Sequence, residues 1–291
     1  SLVLVIGIYV AGVYMNLYGE LEEPGVSVDS ELPDSLVQNK LIAQKPFGGA
    51  KQILFGDTHV HTTYSTDAFF WSLPIMNGEG SHPISDACDF ARFCSNLDFW
   101  VSTDHAEAQT PRKWKSIKEA VRNCNASTDS KEPDLVTFLG FEWTQVGNNA
   151  ESHYGHKNVM FLDTEESKVP KRPIGAGGVA TNGMRNTLPN QAKMLRPAAF
   201  LDFENRHRYF NFLSFAEELK GGKYCEEGVN SALLGDDCYE SADTPEDLFR
   251  KLNELNFPAI VIPHENTWGF YSPHGITLDK QLEKDFNDDN L

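Results

Sequence analysis

The chain has 291 residues, of which 40% are hydrophobic and 11% aromatic. This length and composition can bury a core of full domain size, so we expect a globular protein with one large domain or two small ones. Its 25 basic and 42 acidic residues give a formal net charge of −17. That balance argues against nucleic acid or anionic lipid as the main partner.

An uncharged apolar segment opens the chain at residues 2–15, and polar, proline-bearing sequence follows it. This order predicts the remainder of a signal peptide or signal anchor over residues 1–20, with a buried core helix as the alternative. We therefore expect an exported protein, periplasmic or extracellular, either free or anchored to the membrane by this segment. Residues 21–50 have scattered prolines and acids without an apolar period, which predicts a linker or an arm on the domain.

A candidate metal site follows the first predicted strand. Residues 52–55, Gln-Ile-Leu-Phe, predict a short strand that ends at Gly56. His59 and His61 come next, and Asp67 lies six residues further on. Two histidines one residue apart can both face a cavity where a strand ends, and the carboxylate can fold back onto the same point, as metal ligands do.

Three later apolar strands also end at polar side chains. Residues 98–102 lead to Asp104 and His105, residues 135–141 lead to Glu142, and residues 259–262 lead to His264. Predicted helices separate them, with Thr110 and Thr244 as N-caps before a proline at the first helical position. This alternation predicts a parallel α/β fold whose site lies at the strand tips, and in a barrel these tips converge.

The remaining histidines divide into one candidate ligand and several ordinary residues. His156 precedes its apolar run, so it can face the site only from an antiparallel or bent segment, and we favour it as a ligand for zinc, manganese or iron. We favour a structural role for His153. His82, His207 and His274 lie in polar or irregular stretches that are typical of surface histidines.

Two further regions leave alternatives open. Five cysteines without a Cys-x-x-Cys pair are too few for a disulfide scaffold, and Cys225 and Cys238 either close a loop in an exported protein or pack as small apolar residues. Residues 163–243 predict a long irregular insertion, either over the mouth of the site or as a poorly ordered excursion. A lid that shapes the substrate is our hypothesis for it.

These motifs together resemble the polymerase and histidinol phosphatase (PHP) superfamily of metal-dependent phosphoesterases, and within it a group of large exported proteins of uncharacterised function. The resemblance runs from about Lys51 to the C-terminus. In order, its motifs are matched by residues 57–67, by Thr103-Asp104-His105, by Gly140-Phe141-Glu142 with the later His156, and by Pro263-His264. The superfamily's last motif, an Asp-x-His, has no counterpart, so the resemblance implies a fragment that lacks both ends.

The resemblance implies a distorted TIM-like (β/α)7 barrel, incomplete at its C-terminus, that spans residues 51–291 and holds two or three divalent metal ions (zinc, manganese or iron). The implied ligands are His59, His61, Asp67, His105, Glu142, His156 and His264. Glu142 would be the bridging carboxylate. Asp57 and Asp104 flank ligating histidines and would orient their imidazoles.

The chemistry expected of such a site is hydrolysis. Two bridged cations would lower the pKa of a bound water from about 16 toward 7 and supply hydroxide, while His274 or Asp104 would protonate the leaving group. We expect the substrate to be a small-molecule ester that is phosphorylated. The alternatives are a metal-dependent hydrolase of another bond, such as an amide or sulfate ester, and a non-catalytic exported metal-binding module.

Overall fold

The computed structural model describes residues 2–43, 53–78, 80–128, 133–148 and 152–264. The α-helices are α1 (Leu2–Tyr14), α2 (Asp34–Ala43), α3 (Thr66–Trp71), α4 (Ile84–Asp89), α5 (Pro111–Ala126), α6 (Gly178–Asn182), α7 (Leu188–Gln191), α8 (Arg196–Leu201), α9 (Arg206–Lys220) and α10 (Pro245–Leu255). The strands are β1 (Gly56–Val60), β2 (Phe99–Ser102), β3 (Val136–Gln145), β4 (Gly155–Phe161), β5 (Ile174–Ala176), β6 (Glu240–Ala242) and β7 (Ala259–His264).

The fold is mixed α/β and is built on a curled sheet of five strands in the order β1-β2-β3-β4-β7. Strands β1, β2 and β3 are parallel, and β4 is antiparallel to both of its neighbours. The Asn158 side-chain amide of β4 donates to the Thr58 carbonyl of β1 at 2.9 Å, although β2 and β3 separate these strands in the sheet. The sheet is therefore curled into a half-barrel.

The predicted parallel arrangement does not extend to β4, which is the antiparallel segment that the sequence allowed for His156. Residues Gly140–Gln145 of β3 pair with Gly155–Met160 of β4, so β3 continues well past its predicted end at residue 141. Glu142 therefore lies inside a strand and not at its tip. Because β7 is antiparallel to β4, it runs in the same direction as β3, and His264 lies at its C-terminal end.

Strand β1 begins at Gly56, where the sequence predicted a strand end. The ring of Phe99 on β2 lies directly over Gly56, where a Cβ atom would clash with it. A glycine therefore allows close packing of two neighbouring strands here, and the residue does not act as a strand breaker. As a result, Asp57 and His59 lie within β1, while His61 follows it.

The main core lies between the convex face of the sheet and three helices, α4, α5 and α10. Its largest fully buried side chains include Trp100, Trp114, Phe141 and Trp143. The two predicted N-caps are confirmed, since the Thr110 hydroxyl accepts from the Lys113 amide at 3.3 Å and the Thr244 hydroxyl accepts from the Asp247 amide at 3.2 Å.

Two disulfide bonds are present in the described residues. Cys88–Cys124 joins α4 to α5 inside the main core, and the sequence did not predict it. Cys225–Cys238 closes the loop that was one of the two alternatives for this pair. Cys94 is a free, exposed thiol.

The N-terminal segments lie against the domain at several points. In α1, residues 2–6 are exposed, while Val13 is buried and the Tyr9 ring packs against Phe200. Further along, the Lys40 ammonium donates to the carbonyl oxygens of Leu97 and Asp134. Among the described residues, no helix combines the length and apolar character needed to cross a membrane.

Residues 163–243 are described throughout and contain more regular structure than the sequence predicted. A helical segment runs from α6 through π-helical Gly183–Thr187, α7 and the 3-10 turn Ala192–Leu195 into α8. Helix α9 buries Tyr209, Phe212 and Phe215 beneath it, in a second core. These buried aromatic side chains explain the regular structure, because they supply the apolar area that an irregular excursion lacks.

Candidate metal centre

Glu142 is the centre of a cluster of histidine rings. Its side chain is 1% exposed, and five imidazoles face its two oxygens. The Nε2 atoms of His61, His59 and His264 lie 2.7, 3.1 and 3.3 Å from a carboxylate oxygen, the Nδ1 of His105 lies 3.7 Å away, and the Nδ1 of His156 contacts Oε1.

The sheet registers bring these residues together from all five strands of the sheet. Strand β1 is tied to the end of β2 because the Val60 amide donates to the Thr103 hydroxyl at 2.8 Å. The residue pairs His105–Glu142 and His156–His264 are direct neighbours on adjacent strands. Antiparallel β4 therefore brings His156 into the cluster. The sequence had left open whether His156 would reach the site from an antiparallel or from a bent segment.

Asp67 completes the cluster from the first turn of α3. One oxygen lies 3.5 Å from His61 Nδ1 and the other lies 3.3 Å from His105 Nε2. The turn that precedes α3 is fixed by Ser65, whose hydroxyl accepts from the His105 amide at 3.0 Å. Asp67 is 49% exposed, so it faces the open side of the cluster.

Asp57 and Asp104 hold the backbone around the ligand candidates in place. We expected both carboxylates to orient imidazoles, but none of their hydrogen bonds within the described residues goes to an imidazole. Asp57 accepts from the His59 amide at 2.9 Å. Asp104 is buried and accepts from the Thr62 amide, the Thr62 hydroxyl and the Ser65 hydroxyl at 2.6, 2.8 and 2.9 Å. These bonds hold the turn between His61 and Asp67.

Thr144 is the residue that orients a ring, and the sequence analysis missed it. Its hydroxyl lies 2.6 Å from His105 Nδ1, which leaves Nε2 of that ring toward Asp67. Such a bond fixes which nitrogen of a histidine is available to a metal. The sequence did contain a signal for Thr144, because side chains two residues apart in a strand, such as those of residues 142 and 144, lie on the same face.

The geometry of the donor atoms fits metal ions. Three groups of three ligand atoms each lie within 4.8 Å of one another: His59, His61 and Glu142; His61, Asp67 and His105; and Glu142, His156 and His264. In the first group the three contacts are 2.7, 3.0 and 3.1 Å. Ligands at ~2.0–2.1 Å from zinc are separated by about 2.9–3.4 Å, so these spacings are close to the edges of a coordination polyhedron.

Hydrogen bonds leave one contact in this cluster unsatisfied. His59 Nε2 and His61 Nε2 lie 3.0 Å apart and both contact the same carboxylate oxygen, so if both nitrogens donate to that oxygen, neither can accept from the other. A cation among these atoms satisfies nitrogen and oxygen acceptors together, and the buried His, Glu and Asp groups can therefore hold metal ions.

The electrostatics of the site also favour positive charge. Burial would raise the pKa of Glu142, but the nearby histidines, His105 foremost, hold it well below its usual range. Burial likewise opposes the charged form of His105, yet Glu142 and Asp67 raise its pKa to about 9. The carboxylates of Glu142 and Asp67 are therefore ionised. They attract either protons on the imidazole rings or, instead of these protons, a metal cation.

A cleft of about 870 Å³ opens onto the cluster. Its lining consists of the ligand candidates, with Thr66 and Thr144 beside them, and of residues from the helical segment 178–195 together with Phe70 and Phe212. A second cleft of about 920 Å³ reaches His59 and His61 from the side of α4. The cluster is thus accessible from solvent.

All seven predicted metal ligands lie in the cluster. His153 is buried elsewhere, His82 is exposed and pairs with Asp86 at 3.0 Å, and His207 is exposed on α9. His274 lies outside the described residues, so its predicted role as an acid stays a prediction.

Comparison with known families gives one partial match. A profile of the family described as "Protein of unknown function (DUF3604)" matches residues 49–110. This part of the chain is similar to that family. The match covers less than half of the chain; it includes His59, His61, Asp67 and His105, while Glu142 lies beyond it. No curated protein and no solved structure gave a significant match.

Proposed function

We propose that this protein is a metal-dependent hydrolase, and specifically a phosphoesterase of the PHP type. The observation that carries the proposal is the buried carboxylate of Glu142 within reach of five imidazoles, with Asp67 on the open side. Support also comes from the order of the motifs along the chain, which resembles that superfamily. We extend the proposal to a distorted (β/α)7 barrel, which the curl of the sheet and the parallel strands β1–β3 support.

The three ligand groups suit two or three divalent ions, with zinc, manganese or iron as candidates because imidazole and carboxylate are their ligands. Bound in this way, the cations would lower the pKa of a water from about 16 toward 7 and make hydroxide available at neutral pH. No nucleophilic side chain is then required of the protein.

The chain's own residues would hold and orient this site. Glu142 stays ionised because the histidines lower its pKa, so it would contribute negative charge to the ions that the cluster would hold. Thr144 keeps the Nε2 of His105 available by its contact with Nδ1. Asp104 holds the turn that carries His61 and Asp67 toward each other, and this contact favours positioning over proton transfer.

The substrate is proposed to be a small-molecule ester and the location to be outside the cytoplasm. A cleft of about 870 Å³ has the size of a small-molecule site. The net charge of −17 argues against nucleic acid. Disulfides such as Cys88–Cys124 persist in oxidising compartments, which supports export to the periplasm or the exterior.

Metal analysis and turnover test the proposal. We expect at least one transition metal per chain, and hydrolysis of an aryl phosphodiester that a chelator abolishes and added zinc or manganese restores. His59→Ala should lose this turnover by more than about 100-fold, the loss that even indirect partners of a metal ligand can cause. His207→Ala is the matched control, because His207 is exposed on α9 and lines neither cleft.

The outcomes separate the alternatives. Turnover of a sulfate ester or anilide but of no phosphoester would favour hydrolysis of another bond. Bound metal without turnover of any of these probes would favour a binding module. A preparation purified without chelator that holds no metal, and that zinc and manganese do not stabilise, refutes the metal centre itself.

A further inference from the structure

An apolar stripe on one helical segment lines the same cleft as the metal cluster. Ala180, Met184, Leu188, Ala192 and Leu195 recur every three or four residues and all line the cleft. This spacing places them on one helical face. The stripe runs from α6 through the π-helical turn and α7 to the 3-10 turn. It thus forms a continuous apolar surface in the cleft that holds the ligand groups.

The cationic side chains of the same segment are engaged elsewhere. Arg185 is buried and donates to the Glu107 carbonyl at 3.2 Å, and its guanidinium lies 4.1 Å from the Tyr239 ring. Lys193 pairs with Glu217 at 3.6 Å. No lysine or arginine is found among the described residues that line the cleft. A substrate with several negative charges would therefore meet no cationic side chain along this surface.

The stripe belongs to a packed wall. Phe212 of α9 lines the cleft from behind the stripe and is fully buried. Its ring contacts Phe69 edge-on at 5.2 Å between centroids, and both belong to the second core. A wall backed by close-packed aromatic rings is preformed, so a ligand that covers it gains from burial without ordering a loop.

The stripe also continues to the protein surface. Met194 lines the cleft and is 79% exposed, so the apolar wall is open to solvent at this point. A ligand can therefore have its reacting group at the metal cluster and an apolar chain directed outward past Met194. Gln191 is the one polar side chain that the segment contributes to the lining within the described residues.

We propose that the substrate is an amphiphilic ester with a single charged head group at the metal cluster and an alkyl or aryl group along the stripe. This inference rests on the proposed hydrolase function. In the reaction, the oxygen of water forms a bond to phosphorus, the ester P–O bond breaks, and a proton from that water ends on the released alcohol. The apolar group takes no part in these steps and contributes binding alone.

A series of p-nitrophenyl alkyl phosphates with methyl, butyl and octyl chains tests whether the stripe binds the apolar group of the substrate. The leaving group is constant, so kcat/KM should rise about 2- to 4-fold for each methylene that the stripe covers. Calorimetry of methyl-, butyl- and octylphosphonate with the metal-loaded protein gives a second readout without turnover. Affinity should rise along that series, with an increasingly negative heat-capacity change.

Met194→Asp should flatten both series, because a carboxylate at this exposed position opposes the apolar chain. Leu201→Asp at the end of α8, which directly follows this segment, is the matched control. Leu201 is 89% exposed and does not line the cleft, so this variant should behave like the wild type.

Turnover of the methyl ester with no dependence on chain length, or equal affinity for methyl- and octylphosphonate, overturns the inference and leaves the hydrolase intact. The reverse result, an affinity that rises with chain length while no ester is hydrolysed, supports the apolar subsite and counts against the hydrolase. The two proposals can therefore fail separately.

Discussion

Replacement of Glu142 by glutamine is the sharpest test of the metal centre. The amide keeps the shape of the side chain but removes its charge and puts an NH₂ donor where one oxygen was. Glu142 is 1% exposed, and five histidines face it, so solvent cannot replace the lost charge. We expect Glu142→Gln to leave the fold in place and to weaken metal binding strongly.

The size of the expected loss in metal affinity follows from the burial of Glu142. Removal of one partner from a buried charge pair costs about 3–5 kcal/mol, which corresponds to a metal affinity weaker by about 150- to 5000-fold. A competition titration of zinc against a chromophoric chelator measures this range directly. The same variant should lower the pKa of His105 from about 9 toward its usual value in metal-free protein, because Glu142 is the strongest of the charges that raise it.

Glu240→Gln is the matched control, since Glu240 is also buried but pairs with Arg172 and Lys251 away from the cluster. It should reduce stability and leave zinc affinity unchanged. If Glu142→Gln keeps zinc affinity within fivefold of the wild type while Glu240→Gln behaves as expected, Glu142 is not a metal ligand and the reasoning from its burial is wrong.

Three further predictions concern positioning and stability. Thr144→Val should weaken metal binding about 10- to 100-fold without loss of fold, because His105 loses its orienting contact; an unchanged chelator titration would contradict this. Burial lowers the pKa of Lys113 to about 7, against about 10.4 in the unfolded chain, so the unfolded state binds more protons between these values. Stability should therefore rise from about pH 7 to about pH 10, and Lys113→Met should flatten that rise in urea titrations at several pH values. The double variant Cys88→Ser/Cys124→Ser opens a loop with a sequence separation of 36 and should lose about 4 kcal/mol of unfolding free energy, whereas a loss under 1 kcal/mol would show that this bond adds little.

Much of the candidate site could be predicted because its signals are local. His59 and His61 follow an apolar run, and His105 and His264 come at or just after the ends of their strands. The N-caps Thr110 and Thr244 form with their own helices, so the sequence predicted them correctly. Local hydrogen bonds and strand periods depend on neighbours in the chain, and these can be identified without a fold.

Other features depend on contacts between distant segments. The sequence left open which direction β4 takes, and only its pairing with β3 and β7 places His156 beside His264. The bond between Cys88 and Cys124 requires α4 and α5 to pack side by side, which no spacing indicated. In residues 163–243, burial of Phe212 and its neighbours overrides the many glycines and prolines that suggested an irregular region.

The sequence by itself determined the types of residue at the site and their order along the chain: histidines and carboxylates near strand ends, in a globular acidic protein. Only the tertiary structure decided that they surround Glu142 and that an apolar helical segment lines the same cleft. The physical reason is that the curl of the sheet and the packing of residues 178–220 are set by burial between segments far apart in the chain. The residue types therefore indicate a candidate metal site, whereas the shape of the cleft beside it comes from the fold.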